Sequence, residues 1–144
     1  MFGDIAHGLL RDDGSPKPAF TELAGLLGLL ADDGGAAEAG PSRTLRVGMT
    51  GHDDSVRHLL LQRSDGSFQL ILWIEAPSFD PERRRTIEVP ARDVRLELPT
   101  GGPRARGIVT FADDGRPRTR PVLPGSLVLD LRLTDNLTVV ELGP

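Results

Sequence analysis

Residues 58–75 read HLLLQRSDGSFQLILWIE, two apolar runs joined by Ser64-Asp65-Gly66. Asp-Gly between alternating apolar residues marks a β-hairpin, because the reversal needs backbone at positive φ, which glycine adopts without steric cost. Phe68, Leu70, Leu72 and Ile74 fill one face of the second strand; Ile71 and Trp73 stand on the other, between Gln69 and Glu75. A strand apolar on both faces is a central strand covered from both sides. Two registers are open. A two-residue Asp65-Gly66 loop sets Leu61 opposite Leu70 and His58 opposite Trp73. A three-residue loop with Gly66 left-handed and a bulge sets Leu60 opposite Leu70.

The same alternation runs through the flanking chain. It predicts strands over Thr44–Met49, Val56–Arg63, Phe68–Glu75, Thr86–Val89, Val94–Leu98, Ala105–Phe111, Leu127–Leu133 and Leu137–Leu142. Turn signals bound them at Thr50-Gly51, Pro90-Ala91, Gly101-Gly102-Pro103, Asp114-Gly115, Pro124-Gly125 and Asp135-Asn136. Val94, Leu96 and Leu98 alternate with Arg95 and Glu97, and the leucines of 127–133 alternate with Asp130 and Arg132, so each strand has one wet face. About eight short strands at this spacing predict a mainly β fold, an antiparallel β-sandwich.

Ahead of the strands the period changes. Asp13-Gly14-Ser15-Pro16-Lys17-Pro18 is a turn leading into a helix, with Pro18 suited to the first helical turn. Phe20, Leu23, Leu27 and Leu30 then recur at three and four residues, Leu26 and Leu29 widen the stripe, and Gly34-Gly35 supplies the stop. Gly25 and Gly28 each cost roughly 1 kcal/mol against alanine but let another element approach closely. An amphipathic helix of roughly 15 residues is marginal alone, so it needs a partner. The expected organisation is turn and helix over 1–33, a linker over 34–43 (GGAAEAGPSR) and a β-sandwich over 44–144.

A chain of 144 residues with 38% hydrophobic and 26% charged content suits one globular domain. The net charge of −4 leaves no basic footprint for nucleic acid, and no stretch is long and apolar enough to span a membrane. All the basic residues but Lys17 are arginine, a skew that suggests a GC-rich, bacterial source. The absence of cysteine excludes disulfides and thiolate metal sites without placing the compartment. The start, MFGDIAHGLLRDDG, is unlike a signal peptide, with Asp4 ahead of any basic stretch.

Few residues carry a chemical signal. Asp12-Asp13, Asp53-Asp54 and Asp113-Asp114 fall in turns, where aspartate is favoured for its local hydrogen bonding. Glu75 at a strand end is expected to face solvent or pair with Arg57. His7, His52 and His58 are too scattered for a metal, and Gly51-His52-Asp53-Asp54 lacks the spacing of a calcium loop. Arg83-Arg84-Arg85 reads as a solvated loop, and the Asn136-Leu137-Thr138 sequon lies at a strand start. No catalytic residue, cofactor site or metal site is assigned.

Two stretches carry a resemblance. HGLLRDDGSPKPAFTELAGLLGLLADDG (7–34) resembles the closing segment of secreted bacterial TIM-barrel glycoside hydrolases, where such a turn leads into the last barrel helix. VRHLLLQRSDGSFQLILWIEAPSFDP (56–81) is similar to the hairpin of the small β-sandwich that follows the barrel in those enzymes. Gln69 stands where an aromatic residue is common there, and Ile74 where asparagine is common. VPARDVRLELPTG (89–101) and LVLDLRLTDNLTVVELGP (127–144) fit the sandwich's final strands. The resemblance covers nearly the whole chain. It implies a C-terminal portion of a larger, typically secreted enzyme whose catalytic carboxylates lie upstream, since barrel enzymes place them at the strand ends of the barrel.

Three functions compete. The first is a non-catalytic accessory sandwich that packs on and stabilises a catalytic TIM-barrel domain, in cis or in trans. Phe20, Leu23, Leu27, Leu30 and Trp73 are the expected interface. The second is a carbohydrate-binding module, for which Trp73 and Phe79 are the only candidate sugar contacts, Phe20 and Phe68 being expected in cores. The third is an interaction domain that docks, or self-associates, through the helix stripe.

Overall fold

The computed structural model describes residues 8–32 and 41–143. Helix α1 (Pro18–Leu30) is followed by β1 (Gly48–Thr50), β2 (Val56–Gln62), β3 (Phe68–Ile74), β4 (Phe79–Asp80), β5 (Arg85–Thr86), β6 (Arg92–Glu97), β7 (Arg104–Phe111), β8 (Pro117–Pro121), β9 (Val128–Leu133) and β10 (Thr138–Gly143). All paired strands are antiparallel. A five-stranded sheet in the order β2-β3-β10-β7-β8 and a three-stranded sheet β1-β6-β9 form the sandwich, and β4-β5 is a separate ribbon.

Inward side chains of both sheets interlock in one core: Phe68, Leu70, Leu72 and Ile74 meet Leu96, Leu131 and Leu133. On the opposite face of the five-stranded sheet a second cluster joins Ile71, Val109, Phe111 and Val139 to the helix. β3 is therefore buried on both faces, as its apolar run, broken only by Gln69, requires. β10 is the same, with Val139 and Val140 both fully buried.

The hairpin takes the second of its two registers, with Leu60 opposite Leu70 and His58 opposite Leu72. Arg63 N donates to Ser67 O at 2.9 Å, Gly66 N to Arg63 O at 3.0 Å, and Gly66 has φ +80, a three-residue loop with glycine left-handed. The turn recurs twice. Ala112-Asp113-Asp114-Gly115-Arg116 and Arg11-Asp12-Asp13-Gly14-Ser15 close with the same two backbone bonds. In all three, the aspartate before the glycine (Asp13, Asp65, Asp114) accepts a hydrogen bond from the amide two residues on. The residue pattern x-[SD]-Asp-Gly-x thus encodes the reversal by local hydrogen bonding alone.

Elsewhere the strands differ from expectation. Of the expected first strand, Thr44–Met49, only Gly48 and Met49 are paired, and the pairing runs on into Thr50, expected in the turn. Residues 44–47 keep the alternation, Leu45 and Val47 half-buried, but pair with no strand among the described residues. The Thr86–Val89 strand shrinks to Arg85–Thr86, pairing Phe79–Asp80. β8 was not anticipated, because Pro117-Arg118-Thr119-Arg120-Pro121 has no apolar alternation and prolines at both ends. An edge strand tolerates both features. The helix ends at Leu30, with Ala31 already extended (φ −55, ψ 129), rather than at Gly34-Gly35, which lie outside the described residues with most of the expected linker.

Candidate functional site

Most of the residues expected at an interface lie on α1 and the sheet face beneath it. Apart from Pro18 in its first turn, the helix carries no end signals of its own. Lys17 at the N-cap makes no side-chain cap, the first turn has no acid and the last no base. The sheet supplies what is missing. Arg63 donates through Nη2 to Ala31 O at 2.8 Å and through Nη1 to Leu29 O at 3.3 Å, and Gln69 Nε2 donates to Leu29 O at 2.9 Å, so the terminal carbonyls are capped from the hairpin. Asp32 accepts from Ser64 N and Oγ at 2.6 and 2.7 Å. At the other end Glu22 Oε1 accepts from Leu137 N at 3.1 Å.

Close approach explains two glycines. A Cβ on Gly25 would sit 3.1 Å from Phe111 Cε1. Gly115, at φ +78, lies under the first helical turn, and a Cβ there would meet the Pro18 carbonyl and come within 2.7 Å of Glu22 N. Gly28, expected to serve the same purpose as Gly25, faces open space.

Seated this way, the helix divides its apolar residues. Leu26, Leu29 and Leu30 pack on the second cluster with Trp73 and Leu61. Phe20, Leu23 and Leu27 remain 41%, 42% and 60% exposed, which corrects the expectation that Phe20 belongs to a core. Gly25 faces β7 and β8, and the helical period puts Phe20, Leu23 and Leu27 on the far side, overlooking the β2–β3 end of the sheet. Leu59, outward on β2, is also exposed there. Of the expected interface residues, Leu30 and Trp73 are thus spent partly within the chain, while Phe20, Leu23 and Leu27 form a bare apolar flank.

The other candidates are scattered. Trp73 is half-buried in the helix-side cluster; Phe79 is exposed on the β4–β5 ribbon and is not part of that cluster. Glu75 pairs with Arg57 at 2.6 Å, both largely in solvent. Asp53 accepts from Ser55 N (2.9 Å), Ser55 Oγ and Arg92 Nε (2.8 Å), which hold its carboxyl down to about 2 from 3.8. The Ser15 hydroxyl lowers Asp13 and the Ser67 hydroxyl lowers Asp65, while the Arg83 amide does the same for Asp80. These are carboxylates engaged in holding turns.

His7 lies outside the described residues, His52 is exposed, and His58 lines a cleft of about 410 Å³ with Leu45, Met49, Leu60 and Leu96. Among the described residues no cluster of His, Asp or Glu could hold a metal ion. Arg83 pairs with Asp80 at 3.0 Å, and Arg85 lies in β5 rather than in a loop. No protein-family model and no characterised protein matches this chain.

Sequence reasoning missed Arg63 and Gln69. Gln69 is only 2% exposed, and a polar residue near the start of a doubly apolar strand was a visible sign of it.

Proposed function

We propose that the chain is a non-catalytic C-terminal β-sandwich of a glycoside hydrolase, which packs on the catalytic barrel and stabilises it. The observation that carries the reading is the divided helix. One side is fastened to the sandwich by leucines and by the Arg63, Gln69 and Glu22 hydrogen bonds, and the other presents Phe20, Leu23 and Leu27 to solvent. A barrel's last helix needs two such faces, one toward its neighbours in the barrel and one toward whatever follows. The order of the resembling stretches supports the same parentage, and the aspartates of the turns are committed to local bonds.

The test has two arms. The chain alone is expected to turn over neither aryl-glycosides nor polysaccharides, and to pass unretarded through gels containing soluble glucans or xylans. Mixed with a family barrel truncated before its last helix, it is expected to form a complex that Leu23→Asp with Leu27→Asp abolishes, the fold being unchanged by circular dichroism. Turnover lost on mutating an acid of this chain, or retardation lost in Trp73→Ala, would overturn the reading.

A further inference from the structure

Among the described residues, strand β9 is hydrogen-bonded on one side only. Leu98 N donates to Leu127 O at 2.7 Å, which sets the phase of the β6–β9 ladder. Bonded pairs alternate in an antiparallel ladder, so Leu129, Leu131 and Leu133 bond β6, while Val128, Asp130 and Arg132 turn their N–H and C=O groups outward. The neighbouring Arg120–Ser126 segment sends no backbone hydrogen bond to them, and a groove of about 210 Å³ separates it from Val128–Asp130.

The other edges are guarded. β2 is flanked by the chain at Pro41–Arg43, which exchanges hydrogen bonds with Gln62, and β1 is three residues long. β8 is bounded by prolines, and antiparallel self-pairing about Thr119 would set Arg118 against Arg120. β9 has no proline, lysine or bulge, and its charges, Asp130 and Arg132, are of opposite sign two residues apart. Self-pairing centred on Leu131 brings Asp130 opposite Arg132 of the partner subunit, twice by symmetry. The positions whose backbone groups are free are the ones that pair in this register. Centring on Asp130 would instead oppose it to itself.

The in-chain ion pairs extend the pattern. Arg95 holds Asp130 at 2.8 Å and Asp93 lies 3.7 Å from Arg132, each directly across the ladder. The row across the joined sheets therefore reads Arg95, Asp130, then Arg132 of the partner subunit and Asp93 of the partner subunit, alternating in sign throughout.

We propose that the free edge of β9 pairs antiparallel, in this register, with the same edge of a second copy of the chain, making one continuous sheet from two. The surface is separate from the helix flank and does not rest on the function proposed above. Sedimentation of the full chain is expected to show a reversible dimer. Asp130→Arg and Arg132→Asp are each expected to weaken it about tenfold or more, since like charges then meet at both contacts. An equimolar mixture of the two variants is expected to associate as the wild type does, because each supplies the sign the other lacks.

Should either reversal unfold the chain by circular dichroism, Asp130→Asn must weaken the dimer and reduce its salt sensitivity. A wild-type chain monomeric at every concentration would overturn the proposal. So would a dimer that the mixture fails to restore, or one lost in Leu27→Asp and indifferent to the β9 charges.

Discussion

Single residues decide where the helix sits. Gly115 combines a left-handed backbone with a helix resting on it, so Gly115→Ala brings strain and a clash together. We expect a loss of more than about 1 kcal/mol in urea unfolding; Gly14→Ala, at the same φ with nothing within 4 Å, isolates the backbone part. Gln69 is a buried donor to Leu29 O, and Gln69→Leu is expected to cost about 1–3 kcal/mol for the carbonyl it strands, less where Arg63 compensates. Asp53 sets a pH dependence. Its folded-state pKa is about 2 against an ordinary 3.8, so its contribution is fully present above the ordinary value and lost as pH falls toward 2. Asp13, Asp65, Asp80 and Asp130 shift in the same direction. The urea midpoint should fall over that acid range, and fall less steeply in Asp53→Ala; equal slopes would show that the Ser55 and Arg92 bonds are immaterial.

At the scale of the element, α1 and β3 carry opposite lessons. Every inward residue of β3 meets the opposing sheet, and Leu72 is fully buried, so Leu72→Ala should cost about 2–5 kcal/mol as a core deletion. A change under about half a kcal/mol would show that the face is not core. On the helix the outcome depends on the side. Leu26→Ala or Leu29→Ala should cost about 1–2 kcal/mol for half-buried contacts, whereas Leu27→Ser should leave stability unchanged and raise solubility. Reversal of that order in thermal melts would mean the helix is seated on its other flank. β10 does for the whole sheet what Gln69 does for the helix. It lies between β3 and β7 and presents Val139 to the helix side and Val140 to the sandwich core.

The molecule as a whole is three layers: helix, five-stranded sheet, three-stranded sheet. The helix is bound by groups distant in sequence, among them the Arg63 and Gln69 side chains and the Leu137 backbone amide. It should therefore unfold with the sheets. Trp73, the single tryptophan, sits in the seam and reports on it directly. Its emission and the far-UV signal should change at the same urea concentration, as for a two-state unit. A Trp73 transition ahead of the sheet signal would show that the helix detaches first.

The local code was legible. The positions of the Asp-Gly turns, the doubly apolar β3, the one-sided strands and the antiparallel sandwich all follow from alternation and turn chemistry, which act over a few residues. The choice between the two registers of the β2–β3 hairpin did not. The helical stripe was also legible, but a period of 3.6 places side chains at angles without naming what lies at each angle. Leu26 and Leu29, rather than Phe20 and Leu23, met the sheet because Gly25 and Gly115 let one side approach. Tertiary structure alone decided that Arg63 and Gln69 would cap the helix, and that, among the described residues, 44–47 would pair with no strand and β9 would keep one open edge. Each depends on groups brought together from distant parts of the chain, and short-range preferences carry no information about such meetings.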